Sequence, residues 1–196
     1  MNKLEKKEPL VTIVTPSFNQ GKYIEKCILS VLNQTYQNIE YIIFDGGSSD
    51  NTISIIEKYK NKIDYWRSEE DGGPSKALRD AFKLSKGEII GYINSDDELH
   101  PKAVERAVKH IKKGFDCVHG SIFREEESSK LPFPLNGKIC IGQRFSVENV
   151  LLGTTIFQQG SFFSKEAYNE VGEINPENKT MWDFELFVDM ILAKKI

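Results

Sequence analysis

Four aspartates stand where a carboxylate could do chemistry. Asp96 and Asp97 are adjacent and follow the apolar run Glu88–Ile93 through Asn94 and Ser95. Neighbouring carboxylates repel unless a cation or hydrogen-bond donors compensate them. A magnesium or manganese ion would do so, since such ions take one or two carboxylates and complete their shell with substrate phosphates. The same pair ahead of a helix also works as a cap, so the pair alone does not decide the matter. Asp45 opens the segment Asp45-Gly46-Gly47-Ser48-Ser49-Asp50-Asn51-Thr52. It offers either an acceptor for the imide N–H of a nucleotide base or an Asx turn relaxed by two glycines. Asp50 reads as a helix cap. Asp183, in Trp182-Asp183-Phe184-Glu185-Leu186, starts an amphipathic segment, where a carboxylate is a helix N-terminal stabiliser or a general base.

The elements that position these residues follow from hydrophobic spacing. Leu10–Thr15 is a β-branched apolar run stopped by Pro16, and Ile39–Phe44 and Glu88–Ile93 read as further buried strands, with a short one at Ile63–Trp66. Between them, Ile24, Cys27, Ile28, Val31 and Leu32 fall on one helical face, Ile53, Ile55, Ile56 and Tyr59 mark a second helix, and Ser75–Leu84 a third. Pro101 starts a fourth, which buries Ala103, Val104, Ala107, Val108 and Ile111. Cys117–Phe123 and Phe157–Phe163 are expected as strands, Arg124–Lys130 as an exposed loop, and Phe184, Phe187, Val188 and Ile191 as the face of a terminal helix. Alternating strands and helices predict a single α/β domain with a mostly parallel central sheet flanked by helices. In such a sheet ligands bind beyond the carboxyl ends of the strands. Thr15-Pro16-Ser17-Phe18-Asn19, the Asp45 segment and Asn94-Ser95-Asp96-Asp97 are therefore expected to share one rim.

The 196 residues suit one well-buried core, and 39% hydrophobic with 28% charged residues is an ordinary globular balance. A net charge of -3 and a pI near 5.7 argue against a nucleic-acid surface. Three cysteines without C-x-x-C spacing disfavour a disulfide framework and a structural zinc site, which favours the cytoplasm. The charged segment Met1–Pro9 is no secretory signal, and no apolar run approaches the ~20 residues that span a bilayer. Peripheral attachment at the inner membrane face stays open. No G-x-G-x-x-G follows the first strand, and Gln20-Gly21-Lys22-Tyr23 lacks the remaining residues of a P-loop.

Taken in order, V-T-I-V-T-P-S-F-N, D-G-G-S-S-D-N-T, D-G-G-P-S-K-A-L, G-E-I-I-G-Y-I-N-S-D-D and W-D-F-E-L resemble the family-2 glycosyltransferases from Leu10 to the C-terminal end. The resemblance implies the Rossmann-like A-type fold. It divides the chain into an N-terminal tail (1–9), a nucleotide-sugar-binding half (10–100) and an acceptor-side half (101–196), which many relatives extend further. It puts Pro16 and Ser17 near the nucleotide, Asp45 at the base and Asp71 in the donor pocket. Asp96 and Asp97 match the ribose and metal motif, with Asp97 the direct ligand of Mn2+ or Mg2+, and Asp183 matches the catalytic base of inverting members. The expected donor is a nucleotide-diphosphate sugar, preferentially a UDP-sugar. The acceptor is a saccharide or lipid-linked saccharide, in bacterial surface-polysaccharide or glycolipid synthesis. Gln158-Gln159-Gly160-Ser161 matches a stretch beside the acceptor site, with an ordinary strand edge as the alternative. Lys76-Ala77-Leu78-Arg79 departs from the Asp-Ala-Leu-Asn of many relatives, so the usual polar contacts there are in question. Two other functions compete: a nucleotidyltransferase, which needs a glycine-rich basic loop that Thr15–Asn19 is not, and a noncatalytic sugar-nucleotide-binding module.

Overall fold

The computed structural model describes residues 7–125, 137–140, 142, 146, 148 and 158–193. Strand β1 (Val11–Ser17) is buried along its whole length because it lies between two parallel partners, β2 (Ile39–Asp45) and β4 (Ile89–Tyr92). β3 (Tyr65–Ser68) extends the sheet beyond β2, and two short strands from the later chain, β5 (Cys117–Val118) and β8 (Phe162–Ser164), complete the order β3-β2-β1-β4-β8-β5. β8 runs antiparallel to both its neighbours, so the sheet is mostly parallel. A separate hairpin pairs β6 (Ile122–Glu125) with β7 (Gly137–Cys140).

Side chains alternate across the sheet, and each face has its own core. Tyr41 and Ile43 of β2 and Ile13 of β1 meet helices α1 (Ile24–Leu32) and α2 (Thr52–Tyr59), with α4 (Ala103–Ile111) on the same side. Ile42, Phe44, Val14, Ile90 and Tyr92 meet α3 (Pro74–Leu84), α5 (Lys165–Val171) and α6 (Trp182–Leu192) on the other. The helices expose their polar stripes and bury the apolar positions read from spacing, such as Ile24, Cys27, Ile28 and Val31 of α1. No helix among the described residues is long and apolar enough to cross a membrane.

Three short elements differ from their expected bounds. The third strand is Tyr65–Ser68 rather than Ile63–Trp66, because a one-turn 3-10 helix at Lys60–Lys62 delays it and its pairing runs from Ile42↔Tyr65 to Asp45↔Ser68. Cys117–Phe123 divides into β5 and the start of β6, with Gly120 N donating to Gly160 O (3.1 Å) at the break. Arg124, expected in a loop, belongs to β6; residues 126–136 lie outside the described set. Within Phe157–Phe163, Phe157 also lies outside it, Gln158–Gly160 forms a 3-10 turn, and only Phe162 and Phe163 enter β8. β8 fits beside β4 because Gly91 faces Phe162: a Cβ at Gly91 would stand 2.7 Å from the Phe162 ring. That glycine brings the Gln158–Gly160 turn to the end of β4, where the paired aspartates lie.

Candidate functional site

The carboxyl ends of β1, β2 and β4 open into a cleft of about 760 Å³. Pro16, Ser17, Asp71 and Asp96, all expected at a site, line it, as do Gly46, Gly47 and Trp182. Asp45, Asp97 and Asp183 stand behind or beside this lining rather than in it.

Asp45 is only 1% exposed, so it is not a carboxylate open on the rim. Its Oδ1 accepts from Ser48 Oγ (2.5 Å), and its Oδ2 accepts from Ser48 N (2.8 Å), Gly47 N (3.2 Å) and Ser68 Oγ (2.6 Å). Gly47, at φ 84°, supplies the left-handed backbone that folds the turn back over the carboxylate. Ser48 Oγ in turn accepts from Asn19 N (2.7 Å), and Gly46 N donates to Ser17 O (2.8 Å). Asp45 thus joins the loops after β1 and β2 to the end of β3. Asp50 accepts from Thr52 N (3.0 Å) and Gly21 N (2.9 Å), and these bonds, with that from the Thr52 hydroxyl, hold its carboxyl below the usual range.

Asp71 Oδ1 accepts from Gly73 N (2.8 Å), and the side chain lies against Gly46, whose Cβ would be 3.3 Å from the same oxygen. The two Asp-Gly-Gly segments therefore meet across the cleft. Gly73, at φ 112°, turns the chain into Pro74 at the start of α3, so this helix presents its positive end to the cleft. Of the two departures in α3, Arg79 pairs with Asp80 (Nε 3.0 Å, Nη2 2.9 Å), whereas Lys76 is exposed and folds its ammonium over Gly72 at the cleft mouth.

Asn94–Asp97 forms a tight turn closed by Asp97 N donating to Asn94 O (3.0 Å). Asp96 is exposed, and Asp97 is half-buried. Burial first, then the charge of Asp96, pushes the Asp97 carboxyl up to about 6, and a hydrogen bond from Gln159 offsets part of this. Neither aspartate has a lysine or arginine partner among the described residues. Two crowded carboxylates at a cleft, with no cationic partner among the described residues, could hold a divalent cation. No group of three metal-binding side chains converges among the described residues. The role of Gln159 was not readable in advance: the Gln-Gln-Gly-Ser stretch drew notice, but its contact with Asp97 exists only once β8 has inserted beside β4.

Asp183 is half-buried in the first turn of α6, and its Oδ1 accepts from Phe184 N (2.9 Å). The preceding Trp182 forms part of the cleft wall and packs on Tyr92 at 5.3 Å between ring centroids. Glu185, the other acid of this turn, accepts from Asn175 Nδ2 (3.2 Å) and Asn178 Nδ2 (2.7 Å), which braces the segment before α6.

Comparison with known proteins fits this geometry. The family model for glycosyl transferase family 2 matches residues 12–172. The chain is 29% identical over 202 residues to glycosyltransferase GlyG of Streptococcus pneumoniae serotype 4, covering 93% of this chain and 67% of GlyG. It is 40% identical over 115 residues to the chondroitin synthase of Pasteurella multocida, covering 57% of this chain but 12% of that protein. Among solved structures, S. aureus TarS 1-349 in complex with UDP has the same fold, with a TM-score of 0.72 and 21% identity over 93% of this chain and 55% of that one.

Two outcomes follow from the buried carboxylates. Asp45→Ala strands four donors inside the loop cluster and is expected to cost about 3 kcal/mol or more in chemical denaturation. A variant of wild-type stability would show that the loops do not depend on this side chain. For Asp97, the folded state holds its proton up to about pH 6, against an ordinary 3.8. Its contribution to stability is therefore full below 3.8 and lost as pH rises through 6. Asp97→Asn should accordingly melt higher than wild type at pH 7.5, with the gap closing as pH falls toward 4; a gap independent of pH would refute the assignment.

Proposed function

The chain belongs to glycosyl transferase family 2, and we propose that it transfers a sugar from a UDP-sugar to an acceptor hydroxyl with inversion at the anomeric carbon. The observation that carries this reading is the convergence of Ser17, Asp71, Asp96 and the start of α3 on one cleft, with Trp182 on its wall and Asp183 next to it in the chain. Pro16 and Ser17 bind the nucleoside, and Asp71 holds the donor from the facing loop. Asp45 serves the base pocket through the loop it laces, since its oxygens are already engaged by Gly47, Ser48 and Ser68.

Asp97 and Asp96 are the residues that would hold manganese or magnesium, and the ion would neutralise charge on the departing diphosphate. The first-turn amides of α3 add a positive field for the same phosphates, and Lys76 at the mouth adds a cation. Asp183 accepts the proton of the acceptor hydroxyl as its oxygen attacks the anomeric carbon from the face opposite the leaving group. The chondroitin synthase relative supports a polysaccharide setting, with a saccharide or lipid-linked saccharide as acceptor.

Asp183→Asn tests the reading. An amide oxygen can still accept from Phe184 N, so the helix start should survive. Stability and UDP affinity are expected to stay near wild type while the transfer rate falls roughly 10²–10⁴-fold. Near-normal transfer by the variant would remove Asp183 as the base. Donor binding with no transfer to any saccharide acceptor by the wild type would favour a noncatalytic module.

A further inference from the structure

Tyr92 is the last residue of β4. The residue is 3% exposed, its ring packs edge-on against Phe82 (6.4 Å, 64°) and tilted on Trp182 (5.3 Å, 46°), and its hydroxyl is sealed from solvent with no hydrogen-bond partner among the described residues. Buried tyrosine hydroxyls normally find a partner, because the lost hydration is otherwise uncompensated. Phenylalanine would fill the same space without that cost.

The charge felt at this hydroxyl is that of Asp183. Burial, and then the Asp183 carboxylate, hold the Tyr92 phenol well above its ordinary range, so it stays protonated and can donate. Trp182 links the two groups, since its indole packs on the Tyr92 ring and its chain neighbour is Asp183. On Asp183, Oδ1 accepts from Phe184 N, and no donor meets Oδ2 among the described residues. A donor unpaired among the described residues thus packs on the indole that walls the cleft, and the next residue in the chain carries an acceptor oxygen with a free site.

Resting on the reading of Asp183 as the base, we propose that Tyr92 is its positioning residue: once the nucleotide fills the cleft, the Tyr92 hydroxyl donates to Asp183 Oδ2 and fixes the carboxylate toward the acceptor. The acceptor proton moves to Asp183, the acceptor oxygen bonds to the anomeric carbon, and the bond to the diphosphate breaks with its electron pair leaving on the nucleotide. Tyr92 keeps its own proton throughout. Filling the cleft expels water, which strengthens a hydrogen bond to a charged group.

The test compares wild type, Tyr92→Phe, Asp183→Asn and the double variant. Carbon-13 NMR follows the Asp183 carboxyl of the protein loaded with UDP and MgCl2. Hydrolysis of UDP-glucose, UDP-galactose and UDP-N-acetylglucosamine, with water as acceptor, supplies rates. In Tyr92→Phe the loaded Asp183 should titrate at higher pH than in wild type, because a donor to the carboxylate is lost. The melting temperature should be equal or higher, because no partner is lost in the free state. Hydrolysis should slow by about tenfold or more, and the double variant should be no slower than Asp183→Asn alone. An unchanged Asp183 titration in Tyr92→Phe overturns the proposal, as does an equal further slowing when Tyr92→Phe is added to Asp183→Asn. A lowered melting temperature with an unchanged titration assigns Tyr92 a packing role only. Asp183→Asn hydrolysing at the wild-type rate instead overturns the base reading itself, which separates the two failures.

Discussion

One buried carboxylate holds the working end of the sheet together. Asp45 accepts from two backbone amides and two serine hydroxyls, and Ser48, one of those donors, accepts in turn from Asn19. Through this chain the loops after β1 and β2 are fixed to each other and to the end of β3. Register makes it possible, since Ser17 pairs with Asp45 and Asp45 with Ser68, so the three strand ends arrive level. The cleft is then the space these fixed loops leave facing the start of α3 and the Asn94–Asp97 turn. Its shape depends on a carboxyl group whose hydrogen bonds are internal to these loops and the end of β3.

The two halves of the chain meet at the paired carboxylates Asp96 and Asp97. β4 ends in the turn carrying Asp96 and Asp97, while Gln159, which supports Asp97, reaches it only because β8 inserts between β4 and β5. Gly91 gives Phe162 the room this needs. α6 approaches from the other face of the sheet, with Trp182 in the core and in the cleft wall at once. Asp96, Asp97 and the proposed base are therefore held by one continuous packing arrangement. The crowding of Asp97 by Asp96 is the observation behind the proposed cation site.

Much of this was readable from residue spacing, and the parts that were not share a cause. The long strands and the helices around β1 carry enough apolar periodicity to declare themselves, and the rim followed from the parallel topology. The short strands did not: β3, β5 and β8 take their bounds from the partner they pair with, not from their own few residues. Asp45 was legible as a turn residue, but its burial was not, because the donors that draw it inward are amides and hydroxyls every such loop contains. Gln159 and Tyr92 gain meaning only from neighbours far away in the chain. Asp183, by contrast, was visible as a carboxylate at a helix start, which its hydrogen bond to Phe184 N matches.

The central claim is that the cleft binds a uridine nucleotide with help from a cation at Asp96 and Asp97. Calorimetric titration of UDP into the wild-type chain, once with MnCl2 and once with EDTA, tests it most directly. The account predicts saturable binding that is at least about tenfold tighter with manganese, a difference of ~1.4 kcal/mol. Equal affinity in metal and chelator, or no binding in either, would contradict it.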